Sequence, residues 1–220
     1  MAGRLPVPRG VGMLASELAS GQRVPAVARD AATVVLLRPA DAGFEVLLLC
    51  RTRTMEFAPG AYVFPGGSVD PDDAGIAAAA VRETFEECGV RLEVDALVPW
   101  GRWITPEISE RRFDTWFFVA ALPAGSPSEV SAAEIHAAAV SGAEADAAEW
   151  LTPAAALDAA RSGRITLLPP TAVTLASLAG FSSIADVLAE RRDVTPLMPW
   201  VVIEDGEAWL ELPDGVEYPL

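Results

Sequence analysis

Arg82, Glu83, Glu86 and Glu87 crowd a single short stretch, Ala80–Val90, which reads AVRETFEECGV. At about 100° per residue along a helix, Glu87 lies about 40° to one side of Glu83 and Glu86 about 60° to the other. The three carboxylates therefore share one arc, with Arg82 beside Glu86. Val81, Phe85 and Cys88 fall on the opposite arc and are expected to pack on a sheet. Like charges three and four residues apart repel by about 0.2–0.5 kcal/mol per pair, so a helix face needed only for solubility would gain by mixing in cations. Two readings stand: a solvated acidic face, or a set of oxygen ligands suited to a hard divalent cation such as Mg²⁺ or Mn²⁺. Zinc does not suit the set, because His136 is the sole histidine and no Cys/His pair has ligand spacing.

What precedes the helix is a glycine-rich loop, FPGGSVD, followed by DPDDAG, in which Asp72 or Asp73 is a candidate N-cap. The helix is expected to run to about Cys88 and to end at Gly89, the residue favoured just past a C-cap. RETFEECGV resembles the second half of the Nudix box, G-x5-E-x7-R-E-U-x-E-E-x-G-U with U apolar, and departs only at Thr84. In strict register the first glycine of that pattern falls on Ser68 and its first glutamate on Ala74. The resemblance implies a hydrolase that cleaves a diphosphate linked to another moiety, using water and divalent metal. It marks Glu83, Glu86 and Glu87 as metal ligands and Arg82 as the residue that orients Glu83 by a charge-assisted hydrogen bond. A base or further ligand comes from a distant loop in this family; Glu144 is the candidate, with Asp146 and Glu149 as rivals. A diphosphate approaching an anionic helix face needs cations between them, so ions rather than arginines would balance the glutamates.

LLLCRTRTMEFAPGAYVFPGG resembles an upstream signature of the coenzyme A diphosphatase branch, L-L-T-x-R-[SA]-x3-R-x3-G-x3-F-P-G-G. Leu47, Leu48, Arg51, Gly60, Phe64, Pro65, Gly66 and Gly67 fit; Leu49, Thr52 and Glu56 depart, the last replacing an arginine. The likeness implies that Arg51, Gly66 and Gly67 bind the substrate, coenzyme A or an acyl-coenzyme A. Alternatives are the same hydrolysis on ADP-ribose, nucleotide sugars or dinucleotides, and a non-catalytic nucleotide-binding module of the same fold. Trp100, Trp103, Phe113, Trp116 and Phe117 could stack on a base, although strand spacing makes most of them core.

The whole chain sets limits on partners. Its formal net charge of −15 argues against a nucleic-acid backbone or an anionic membrane. Two cysteines, Cys50 and Cys88, make no disulfide framework and point to a reducing cytoplasm. The N-terminus lacks the continuous apolar core of a secretory signal. Ile165–Ala185 carries no charge but contains Pro169-Pro170, Gly180 and many hydroxyl residues, so it reads as a buried helix after a Pro-Pro turn.

The elements that would hold the site follow. Residues 1–30 read as a loose arm with one short helix, 31–162 as the catalytic domain, and 163–220 as a C-terminal extension packed on it. TVVLLRP and FEVLLLCR read as a hairpin about ADAG, and VPWGRWIT, RFDTWFFVAAL and AAEWLTP as further strands. Helices are expected over 153–161, 170–179 and 184–192, and PWVVIEDGEAWLELP as a hairpin turning at Asp205-Gly206. The alternation of elements implies the α/β class with a mixed sheet, and the Nudix resemblance implies an α/β/α sandwich, here with extra C-terminal helices and a hairpin. The terminal hairpin could cap the site or pair with a second subunit to make a homodimer.

Overall fold

A computed structural model describes residues 4–6, 11–41, 43–53, 58–126, 145–205 and 207–220. In chain order the first elements are β1 (Arg4–Pro6), α1 (Val11–Ala19), β2 (Arg29–Ala40), β3 (Gly43–Arg51), β4 (Ala61–Val63) and β5 (Gly66–Ser68). Then come α2 (Ile76–Cys88), β6 (Val98–Ile104), β7 (Phe113–Ala121), β8 (Ala145–Leu151), α3 (Pro153–Arg161) and β9 (Thr166–Leu167). The chain closes with α4 (Pro169–Leu178), α5 (Ile184–Ala189), β10 (Trp200–Glu204) and β11 (Glu207–Glu211).

A continuous apolar run has no face fit for water, and the run in β2 is covered on both sides. Val34 and Leu36 join Leu47, Leu49 and Phe118 beneath α2. Val35 and Leu37 join Val46, Leu48 and Val119 on the opposite face. That second face is closed by the C-terminal helices through Ala156, Leu157, Ala172, Leu175, Leu178 and Val187. The result is a mixed sheet between helical layers, as the alternation of elements implies.

Sheet order is β6-β7-β2-β3-β4-β9, with β2 and β7 parallel and β2 and β3 antiparallel. The expected hairpin between β2 and β3 forms, but its strands pair only from Leu37↔Val46 to Ala40↔Gly43. Beyond that point they part. Along the freed edges β4 pairs with β3 (Leu49↔Val63) and β5 with β2 (Ala31↔Ser68). The segment 61–68 thus bridges a split in the sheet.

The two ends of the chain meet. β1 pairs with β11 from Arg4↔Glu211 to Pro6↔Trp209, and β11 pairs with β10 up to Glu204↔Glu207, making a three-stranded sheet. Arg4 holds it by ion pairs to Glu204 and Glu211. The hairpin therefore finds a partner strand within its own chain. β9 joins the main sheet beside β4. The run after Pro169-Pro170 is the buried helix α4, and α5 stops at Ala189, three residues short of the expected end. No helix among the described residues is long and apolar enough to cross a membrane.

Candidate active site

The bridging segment is pinned before it reaches the glycines. The Pro65 carbonyl accepts from Val34 N–H at 2.9 Å and from the Thr33 hydroxyl at 2.6 Å. Phe64 is buried, its ring edge-on to Phe117. Gly66 then lies against β2 with φ +153°, so tightly that a Cβ there would sit 2.6 Å from the Thr33 Cα. Only glycine fits. At Gly67 the limit comes from the other side, since a Cβ would lie 2.5 Å from the Glu83 Cδ.

Opposite this strand stands α2. Its C-terminus ends as expected: Gly89 has φ +69° and donates its N–H to the Phe85 carbonyl at 2.8 Å. Its N-cap is Gly75, with no side-chain cap, rather than Asp72 or Asp73. The buried residues are Ala79, Ala80, Thr84 and Cys88, not Val81 and Phe85. Phe85 stays at the surface with the Arg91 guanidinium 4.0 Å above its ring. The buried stripe Ala80–Thr84–Cys88 is centred about 100° from Glu83 rather than opposite it. Small residues let the helix lie close to β2 and β5, which draws Glu83 and Glu87 inward and turns Glu86 out. Thr84, fully buried where the box has an apolar residue, donates its hydroxyl to the Ala80 carbonyl at 2.7 Å. Burial raises the Cys88 thiol pKa strongly, as suits an inert core thiol.

The three glutamates are accordingly not equivalent. The Glu83 side chain is 17% exposed and faces Gly67, while that of Glu86 is 55% exposed. Glu87 accepts from Gly66 N–H at 2.8 Å. Arg82 ties the cluster together with all of its donors. Nε and Nη2 grip Asp73 at 3.0 and 2.9 Å, Nη2 also reaches the Ser68 carbonyl at 3.0 Å, and Nη1 donates to Glu83 at 2.9 Å and Glu86 at 3.1 Å. Hydrogen bonds from Arg82 hold the Asp73 carboxyl below the usual carboxylate range, and Asp73 in turn raises the Arg82 pKa further.

These residues suit a hard divalent cation by donor chemistry. Glu83 and Glu87 offer carboxylate oxygens one turn apart, and the space for the Glu83 carboxylate exists because residue 67 has no Cβ. Among the described residues no three acidic, histidine or cysteine side chains converge closely enough to hold an ion unaided. Mg²⁺ is commonly held by one or two carboxylates, with waters and substrate phosphates completing the shell.

Other expected residues are placed variously. Arg51 closes β3, and its carbonyl accepts from Gly60 N–H at 3.1 Å. Glu56, His136 and Glu144 lie outside the described residues. Glu149 is directed elsewhere: it pairs with Leu48 across β3 and β8, on the face opposite α2. There it accepts from the Tyr62 hydroxyl at 2.7 Å and from Arg164 at 2.8 Å. Asp146 is exposed beside the irregularity in the β3–β8 pairing. Trp100, Trp103 and Phe117 are core; Phe113 and Trp116 are partly exposed. Sequence reasoning missed Asp73 as the anchor of Arg82. Its signal was present in DPDDAG but was read as a helix cap.

Comparison with known proteins bears on this arrangement. A family model described as the NUDIX domain matches residues 27–169. The acyl-coenzyme A diphosphatase NUDT19 of Xenopus laevis is 23% identical over 245 residues, covering 66% of this chain and 62% of that protein. The chain thus spans about three fifths of the length of such relatives. The peroxisomal coenzyme A diphosphatase ndx-8 of Caenorhabditis elegans is 40% identical over 74 residues, covering 32% of this chain and 31% of that protein. A crystal structure of a NUDIX hydrolase from Alicyclobacillus acidocaldarius superposes with TM-score 0.63 at 26% identity, covering 74% of this chain and 96% of that one.

Proposed function

The chain belongs to the Nudix family, and from that premise we propose that it is a diphosphatase, dependent on Mg²⁺ or Mn²⁺, that acts on coenzyme A or an acyl-coenzyme A. The products are 3′,5′-ADP and 4′-phosphopantetheine or its acyl form. One observation carries this reading: the sequence Leu47–Gly67 resembles the coenzyme A signature, and its last two residues, Gly66 and Gly67, lie against Glu87 and Glu83. The names of the relatives support the same substrate class.

Each of the chain's residues has a task in this proposal. Glu83 and Glu87, with the more exposed Glu86 beside them, would hold the divalent ion, which when bound neutralises phosphate charge and acidifies a water. Arg82 fixes the direction of the Glu83 carboxylate. The Gly66 N–H fixes one oxygen of Glu87. Arg51, at the end of β3, meets the phosphates or the 3′-phosphate of the substrate. Glu144 is the proposed base, since Glu149 is held on the opposite face by Tyr62 and Arg164. In the reaction a water oxygen bonds to one phosphorus while the bridging P–O bond of the anhydride breaks. The water's proton passes to the base. A reducing compartment such as the cytoplasm suits Cys50 and Cys88, both unpaired.

The test is incubation of the protein with Mg²⁺ or Mn²⁺ and a panel of coenzyme A, acetyl-coenzyme A, ADP-ribose, NADH and diadenosine polyphosphates, with products weighed by mass spectrometry. Formation of 3′,5′-ADP from coenzyme A, abolished in Glu87→Gln, is the expected result. Cleavage of a different member keeps the chemistry and discards the substrate. A protein that neither cleaves nor binds metal refutes the proposal.

A further inference from the structure

The pattern that the α2 region resembles requires a glycine where this chain has Ser68 and a glutamate where it has Ala74. Both departures meet at Arg82. What Ser68 supplies is its backbone carbonyl, 3.0 Å from Nη2, which any residue type provides. Ala74 supplies nothing polar from its side chain, but its neighbour Asp73 does. That carboxylate, 7% exposed, takes Nε and Nη2 of Arg82 in a bidentate grip at 3.0 and 2.9 Å. Asp73 is itself fixed, because its Oδ2 accepts from Asp70 N–H at 2.8 Å while its own N–H donates to the Asp70 carbonyl at 3.0 Å.

The guanidinium has five N–H donors, and here all five are used. Three go to the immobile side, two to Asp73 and one to Ser68, leaving the two of Nη1 for Glu83 and Glu86. The stem of an arginine is flexible, so a guanidinium held only by two glutamate side chains would move with them. Anchored on Asp73, it presents Nη1 at one place and sets the Glu83 carboxylate.

From this geometry we infer that Asp73 is a positioning residue for Glu83, acting through Arg82, and that it takes the place of the glutamate the pattern sets at position 74. The inference rests on the divalent-cation reading of Glu83 and Glu87 given above. Its effect belongs on metal affinity and on kcat, with KM little changed, because Asp73 touches neither ion nor substrate. Partners of this kind, one bond removed from a ligand, change metal affinity or activity by about 10–100-fold when removed.

The experiment measures Mn²⁺ binding to the full chain by electron paramagnetic resonance of the free ion. It is run for wild type, Asp73→Ala, Asp73→Asn and the double variant Asp73→Ala/Ala74→Glu, with the apo Tm of each. Asp73→Ala is expected to weaken Mn²⁺ binding about 10–100-fold, and the double variant to recover most of the loss. Asp73→Asn keeps the size of the side chain and half its acceptor capacity, and provides an intermediate value should Asp73→Ala fail to fold. A fall in Tm with Mn²⁺ affinity unchanged makes Asp73 a structural brace and overturns the inference. Loss without recovery in the double variant overturns the claim that Asp73 replaces a glutamate at 74. If the wild type cleaves no diphosphate yet its Mn²⁺ affinity responds to these changes, the substrate proposal falls and the positioning role stands. If it cleaves and Asp73→Ala cleaves equally well, the reverse holds.

Discussion

Gly67→Ala is the substitution that most directly probes the wall between β5 and α2. The added Cβ would lie 2.5 Å from the Glu83 Cδ, against an ordinary contact of at least 3.4 Å, so the carboxylate must retreat by about 1 Å. What it meets is the far end of a side chain, not backbone, so the fold can yield at small cost. A loss of stability below about 1 kcal/mol is expected, within the range of substitutions that create no buried cavity or unpaired charge. Catalysis has less tolerance. A misplacement of about 1 Å in a positioned group costs on the order of 100-fold in rate, equivalent to about 2.7 kcal/mol of barrier. Gly66→Ala provides the contrast: its Cβ meets the backbone of Ala32 and Thr33 at φ +153°, so stability itself should fall by about 1–3 kcal/mol. The assay pairs kcat for diphosphate cleavage at saturating Mn²⁺ with urea denaturation of the apo protein. If Gly67→Ala keeps kcat within twofold of wild type, the Glu83 carboxylate does not need the place the structure gives it. Equal destabilisation by both substitutions would show that the wall is backbone-limited throughout.

Three more expectations follow from other parts of the molecule. Leu175→Ala, at a fully buried position of α4 in the core that also holds Val35 and Val46, should cost about 2–5 kcal/mol by urea denaturation; a loss under 1 kcal/mol would mean that the C-terminal helices do not share the main core. At Glu149, burial pushes the carboxyl pKa up, but hydrogen bonds from Tyr62 and Arg164 outweigh it and the net shift is downward. The stability Glu149 contributes is therefore fully present above the unfolded value of about 4.3 and lost as pH falls through the folded one. The Tm gap between wild type and Glu149→Gln should be constant near pH 7 and close on acidification, and a gap that widens there contradicts the assignment. Mn²⁺ at about 100 times its Kd should stabilise the folded chain by about 2.7 kcal/mol, reversed by a chelator; an unmoved Tm would remove the ion from Glu83 and Glu87.

The body of α2 and its end were legible because their causes are local. Gly89 takes the left-handed conformation that a helix terminus favours, and the glutamate spacing fixes their shared arc. Its start and its buried side were not. Asp73 resembles a cap until Arg82, nine residues on and two and a half turns along, recruits it. Phe85 is the bulkiest apolar residue of the helix and so reads as buried. Yet α2 lies so close to β2 and β5 that its buried residues are the small Ala79, Ala80, Thr84 and Cys88. The split of the sheet was hidden for a related reason: β4 and β5 have three residues each, too few to show a period, and exist because β2 and β3 part. The pairing of β1 with β11 joins residues some two hundred apart, which no local pattern encodes.

The charge around Arg82 explains why the site asks for ions when a phosphate arrives. Asp73, Glu83 and Glu86 surround the Arg82 guanidinium and Glu87 lies one turn beyond Glu83, so four carboxylates face one arginine's charge, an excess of three. In the apo protein that excess is tolerable, because Glu86 is half exposed and the Gly66 N–H and Arg82 support the rest. A diphosphate adds two or more negative charges against the same surface. Arg82 has no donor left to offer it, since each N–H already has a partner. Repulsion at such short range is several-fold stronger in a partly buried site than in bulk water. Under the proposed function, Glu83 and Glu87 would hold cations that offset the phosphate charge, so the affinity for a diphosphate should rise with bound Mg²⁺ or Mn²⁺. Any cation that the substrate recruits from the chain itself has to come from another element, and Arg51 at the end of β3 is the one named in the proposed function.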